Sequence, residues 1–173
     1  MNGIVAKRLV FAVLDTDKDG VISRDDYFSR IDRLTAATGR GDDDPMVVHA
    51  RAAGERAWSE MDADGDGKMT LDEYLAWVGV EAFDTICSPA LGALFDLADA
   101  DKDGALDRPE FIMLRTALGN PAGNAEAAFD ALDADGDGRV GRHDYLMSIR
   151  AHIGGEDSPM GAVLYSAGTL ARD

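Results

Sequence analysis

Residues 62–73 read DADGDGKMTLDE, with carboxylates at the first, third, fifth and twelfth places and glycine at the sixth. Acids crowded this closely repel one another, so a single copy reads as an acidic surface loop rich in Asx turns. The arrangement returns three more times, as DTDKDGVISRDD from Asp15, DADKDGALDRPE from Asp99 and DADGDGRVGRHD from Asp133. The starts at 15, 62, 99 and 133 are 47, 37 and 34 residues apart. Four copies of an unfavourable arrangement at this period define the architecture, and they require something that offsets their charge.

A hard divalent cation does so, because it takes about 6–8 oxygen ligands. Places 1, 3, 5 and 12 supply carboxylates: Asp15, Asp17, Asp19 and Asp26; Asp62, Asp64, Asp66 and Glu73; Asp99, Asp101, Asp103 and Glu110; Asp133, Asp135, Asp137 and Asp144. Place 7 offers a backbone carbonyl, from Val21, Lys68, Ala105 and Arg139. Place 9 offers a side chain or a water, at Ser23, Thr70 and Asp107, with Gly141 leaving only the water. Glycine at place 6 takes the positive φ of the sharp turn. This is the calcium-loop pattern D-x-[DN]-x-[DN]-G with a terminal acid. The charge balance agrees: 17 of the 33 acids occupy such places, and the other 16 face 17 lysines and arginines, so the net charge of −16 belongs to the loops.

The flanks keep the register. An aromatic stands four residues before each loop (Phe11, Trp58, Phe95, Phe129) and another directly after it (Tyr27, Tyr74, Phe111, Tyr145), which places 8 of 12 aromatics at equivalent points. That is core packing of paired helices. Apolar residues at helical spacing surround them, as in Leu71, Tyr74, Leu75 and Val78. Place 8 is apolar throughout (Ile22, Met69, Leu106, Val140), which suits a short β-bridge joining loop 1 to loop 2 and loop 3 to loop 4. Thr70-x-x-Glu73, Asp107-x-x-Glu110 and the weaker Ser23-x-x-Asp26 predict capping boxes, and Asp42-Asp43-Asp44-Pro45 predicts a helix start.

With its wide first interval, the chain resembles the sarcoplasmic calcium-binding proteins and the bacterial calerythrins across about residues 3–153. The resemblance implies an all-α fold in which four EF-hands, in two pairs with short β-bridges, form one compact globule. It also implies a role in calcium buffering or transport. The pairs are expected over residues 1–80 and 81–155, with a C-terminal tail over 156–173. Relatives often carry a silent loop, whereas all four here keep their acids, so up to four Ca²⁺ are expected. Asp26 and Asp144 are one methylene shorter than Glu73 and Glu110, which predicts weaker Ca²⁺ binding and tolerance of Mg²⁺ at loops 1 and 4. The fifth carboxylate, Asp107, makes loop 3 the strongest.

Other classes fit poorly. A hydrophobic content of 46% excludes wholesale disorder. The acidic surface disfavours nucleic acid and anionic lipid, and no stretch is long and apolar enough for a membrane helix. The opening residues have no small-residue cleavage site and their apolar run leads straight into the first acidic loop, so no leader peptide is expected; one cysteine, Cys87, fits a reducing compartment, and a cytoplasmic monomer is expected. His49, His143 and His152 match no catalytic metal spacing, no phosphate-loop motif occurs, and no enzyme activity is expected. The seven methionines are scattered, which favours a buffer over a sensor that opens a methionine-rich groove to a protein partner. Ser88-Pro89 is expected to break any continuous central helix. The stretch SPMGAVLYSAGTLA (158–171) is apolar enough to lie across the helices as a lid, or else hangs as a frayed tail.

Overall fold

A computed structural model describes residues 3–165. Each acidic loop sits between two helices. Loop 1 joins α1 (Gly3–Leu14) to α2 (Arg24–Thr38), and loop 2 joins α3 (Pro45–Met61) to α4 (Leu71–Trp77). A single turn, α5 (Val80–Ala82), leads through a π-helical turn (Phe83–Cys87) into α6 (Ser88–Ala98). Loop 3 connects α6 to α7 (Arg108–Ala117), loop 4 connects α8 (Ala122–Leu132) to α9 (Arg142–Gly154), and α10 (Pro159–Leu164) follows. Three-residue strands β1 (Val21–Ser23) and β2 (Lys68–Thr70) pair antiparallel with Ile22 opposite Met69. Strands β3 (Ala105–Asp107) and β4 (Arg139–Gly141) pair likewise with Leu106 opposite Val140. The bridges therefore join loops 1 and 2 and loops 3 and 4 through their apolar eighth places.

The helix starts obey the local chemistry. Ser23, Thr70 and Asp107 each form a complete capping box with the acid at place 12, and Asp44 caps α3 ahead of Pro45. Gly141 has no side chain with which to cap α9.

The flanking aromatics pair crosswise. Phe11, before loop 1, meets Tyr74, after loop 2, at 5.5 Å between ring centroids; Tyr27, after loop 1, meets Trp58, before loop 2, at 5.5 Å. The second half repeats the exchange with Phe95–Tyr145 at 5.4 Å and Phe111–Phe129 at 5.5 Å. Each pair of hands thus has approximate twofold symmetry. The two halves then merge in one core, in which α3 packs on α6 and α2 on α7. Both helices of the α3–α6 contact bury small residues (Ala50, Ala53 and Ala57 on α3, Ala90 and Ala93 on α6).

One expectation is overturned and one open choice is decided. Ser88-Pro89 does not break the central helix: helix runs from Val80 to Ala98, and the break, a bend of 81°, falls at Val78-Gly79. Pro89 lacks an N–H and its ring crowds the carbonyl four residues back, which normally ends a helix. Here the preceding turn is wound wider, with the Ser88 N–H donating to the Phe83 carbonyl, and this accommodates the ring. Of the two readings of the C-terminal stretch, residues 159–165 form the lid. Met160 and Leu164 are fully buried, and Asn120 Nδ2 donates to the Leu164 carbonyl at 3.2 Å. Residues 166–171 of that stretch lie outside the described residues.

Phe95 touches Tyr145 from the centre of the core and is fully buried. Phe95→Ala is expected to destabilise the protein by about 3–5 kcal/mol; a denaturant midpoint close to that of the parent would contradict the cross-paired core.

Candidate metal centres

In every loop the backbone holds the carboxylates in place. The first aspartate accepts from the N–H of the sixth-place glycine: Asp15 from Gly20 at 3.0 Å, Asp62 from Gly67 at 3.1 Å, Asp99 from Gly104 at 3.0 Å and Asp133 from Gly138 at 3.1 Å. The third-place aspartates accept from the fifth-place N–H at 3.2–3.3 Å, as in Asp19 to Asp17 and Asp66 to Asp64. The fifth-place aspartates accept from the seventh at 2.9–3.0 Å, as in Val21 to Asp19 and Lys68 to Asp66. These donors turn the acids inward. Oxygens of Asp15, Asp17 and Asp19 come within 4.8 Å of one another, and so do those of Asp62, Asp64 and Asp66, of Asp99, Asp101 and Glu110, and of Asp133, Asp135 and Asp137. The chemistry of these donors, hard oxygens on a tight turn, fits Ca²⁺.

The predicted ligands fall into three groups. The third-place acid joins the first in all four loops, and the fifth joins them in loops 1, 2 and 4. Val21, Lys68, Ala105 and Arg139 open the four strands, so their peptide groups are held by the bridges. The twelfth-place acids differ. Glu110 groups tightly with Asp99 and Asp101; Asp26, Glu73 and Asp144 stand outside the tight groups of their loops, with Asp26 still near enough to Asp15 to act on its charge. Asp26 accepts from Thr16 N at 3.1 Å and from Ser23 N and Oγ at 2.9 and 2.6 Å; Glu73 accepts from Thr70 N and Oγ at 2.8 and 2.7 Å. Burial acts to raise the Asp26 carboxyl, but the Ser23 and Thr16 donors outweigh it and hold it below its ordinary value. Asp15 is raised, by burial first and then by repulsion from Asp19 and Asp26, against the N–H bonds from Gly20 and Asp19. This is the electrostatic strain that a cation relieves.

Three features of these sites were not read from the sequence. The fourth place also has positive φ: Gly65 and Gly136 in loops 2 and 4 (+73° and +72°), but Lys18 and Lys102 in loops 1 and 3 (+59° and +61°). The glycines of loops 2 and 4 were a legible sign of it. Thr16, at place 2, binds Asp26 through both its N–H and its hydroxyl. Arg139 of loop 4 forms an ion pair with Asp103 of loop 3, linking the two sites directly.

Residues 5–79 match the EF-hand domain pair family, and residues 91–114 and 125–145 each match the EF-hand family. Together these segments make up more than half of the chain. The chain is an EF-hand protein. It binds calcium through these loops, as the family does. A Streptomyces coelicolor calcium-binding protein, solved as the structural basis of prokaryotic calcium-mediated regulation, has 26% identity and a TM-score of 0.74 over 86% of this chain and 98% of its own. The expected likeness to calerythrin-type proteins therefore holds in the repeat and in the single globule. Mitrocomin, a Ca²⁺-regulated photoprotein from Mitrocoma cellularia, shares the fold at 19% identity and a TM-score of 0.71 over 94% and 90% of the two chains. Putative calmodulin-like protein 6 of Oryza sativa is 28% identical over 115 residues, 65% of this chain and 61% of that relative, so the match spans less than two thirds of its length.

Gly65 offers open space around a built Cβ, so substitution there tests backbone conformation alone. Gly65→Ala is expected to cost about 1 kcal/mol through its left-handed φ; calcium-loaded thermal unfolding that matches the parent would contradict this conformation.

Proposed function

We propose that this EF-hand protein is a cytoplasmic calcium buffer or transporter, acting as a monomer and without catalysis, nucleic acid or membrane. The observation that carries the reading is closure of the hands. All eight loop-flanking aromatics are buried in the common core, none more than 5% exposed. Sensors expose an apolar groove rich in methionine when Ca²⁺ binds, whereas among the described residues Met147 is the one methionine among the large exposed hydrophobics. A second reading, a sensor regulating a partner, is favoured by the Streptomyces coelicolor relative and its link to calcium-mediated regulation. A sharp rise of apolar-dye fluorescence on adding Ca²⁺ selects the sensor; a flat response selects the buffer.

The sites are unequal in this reading. Loop 3 fills first, because Glu110 already stands beside Asp99 and Asp101. Loops 1 and 4 end in the shorter Asp26 and Asp144 and accept Mg²⁺ more readily, since one carboxylate oxygen in place of two lowers the coordination number toward the octahedral shell that Mg²⁺ demands. Asp26→Glu and Asp144→Glu are expected to raise Ca²⁺ affinity and to weaken Mg²⁺ competition in isothermal titration. Unchanged values for both would refute the assignment.

Metal and folding are coupled. A cation that binds the folded chain alone stabilises it by about 4 kcal/mol at a thousandfold excess over Kd. Typical total stability is roughly 5–15 kcal/mol, so two filled sites decide whether the chain is firmly folded. Chelation with EDTA is expected to lower the thermal midpoint steeply and to leave a partly molten state. A midpoint indifferent to chelation, or fewer than two bound calcium equivalents in equilibrium dialysis, would overturn the proposed function.

A further inference from the structure

Where the two pairs of hands meet, the core leaves a void of about 80 Å³, room for several water molecules. Its wall is largely apolar, with Val13, Trp77, Leu91, Leu118 and Ile149 contributing, but Arg30 of α2 and Arg115 of α7 also border it. Arg30 is 9% exposed and Arg115 2%. Neither has a carboxylate partner among the described residues. Arg115 donates to neutral oxygens, at 2.9 Å to the Tyr145 hydroxyl, 2.6 Å to Asn120 Oδ1 and 2.9 Å to the Tyr165 hydroxyl. Arg30 lies over the Tyr27 ring, its Cζ 3.9 Å from the centroid. The Nε of each arginine is buried with no hydrogen-bond partner.

Burial works against the Arg115 charge and the Tyr145 and Tyr165 hydroxyls offset it, but no counter-charge stands beside either arginine among the described residues. A guanidinium does not shed its proton, and a buried charge is costly unless paired. Two of them bordering one low-dielectric space also repel each other. The titratable groups around the void do not supply an anion. Burial pushes the Cys87 thiol up to about 12, and it raises the Tyr27 and Tyr74 phenols, so all three are neutral at physiological pH. The chain has 33 acids, yet several of its other arginines pair with them at the surface, as in Arg51–Asp32, Arg142–Asp96 and Arg150–Asp84. An anion from outside the chain is the missing component, and the apolar wall selects one with an apolar body over a hydrated inorganic ion.

We propose that this central cavity is a binding site for a small organic carboxylate, with its carboxylate taken by Arg30 and Arg115 and its apolar body lodged against Val13, Trp77, Leu91 and Ile149. The site shares no ligand with the calcium loops, so its failure leaves the calcium reading intact.

The test titrates sodium butyrate, small enough for the void, into the calcium-loaded full chain at constant ionic strength, followed by tryptophan fluorescence and amide NMR, with 1-butanol as the neutral analogue and chloride as the inorganic anion. Butyrate is expected to saturate, with shifts centred on Arg30, Cys87, Arg115 and Tyr165, and to bind at least about tenfold more tightly than 1-butanol. Arg30→Met is expected to abolish that preference. Leu91→Trp, which fills the void and leaves both arginines, is expected to abolish butyrate binding, and it carries the test if Arg30→Met does not fold. Equal binding of 1-butanol, equal effects of chloride, absence of saturation, or full butyrate affinity in Leu91→Trp would each overturn the proposal.

Discussion

The interaction on which the rest depends is the bond from the sixth-place glycine N–H to the first-place aspartate. It closes each acidic turn on itself, from Gly20 to Asp15 through to Gly138 to Asp133. Once closed, the loop places its seventh to ninth residues in an extended strand and its ninth residue at a helix start. The entering and leaving helices are then held at a fixed angle, with one aromatic from each facing inward. A chain segment that repels itself is tolerated because its carboxylates first meet backbone donors and then a cation.

From that turn the packing follows. The bridge sets two loops side by side, and the symmetry of the bridge forces the aromatic before one loop against the aromatic after the other. Each half would be a small domain with a marginal core by itself. Packing α3 on α6 joins the halves in a single core, and α10 packs on α8 and α9. The wide interval between loops 1 and 2 is occupied by the long helices α2 and α3, which lie in that shared interface.

Features governed by neighbours in the sequence were legible in it. The ligand spacing, the capping boxes at Ser23, Thr70 and Asp107, and the Ile22–Met69 and Leu106–Val140 bridges each involve residues whose chemistry acts within one loop or its mate. Features that arise from tertiary context were not. Pro89 reads as a helix breaker because proline usually is one, and only the widened turn at Phe83–Cys87, set in a packed segment, accommodates it. Glu110 and Glu73 occupy identical places in near-identical boxes, yet only Glu110 joins the tight carboxylate group of its loop. Arg115, in the last turn of α7, is buried against partners far off in the sequence, Tyr145, 30 residues away, and Tyr165, 50 residues away.

The cavity and the loops are parts of one mechanical unit. Leu14 and Met61, which line the void, directly precede Asp15 and Asp62, and Tyr27 and Tyr74, also in its wall, directly follow Asp26 and Glu73. Tyr145, which follows Asp144, holds Arg115. The twelfth-place acids of loops 1 and 2 are bonded to their own caps. Any shift of these acids on binding a cation reaches the tyrosine next in sequence, Tyr27 or Tyr74, in the wall of the void. Coupling of this kind is reciprocal: whatever the filled loops do to the affinity of the cavity, an occupant of the cavity does to the affinity of the loops. A closed EF-hand globule need not expose a groove to respond to calcium, because its response can be contained in the space at its centre.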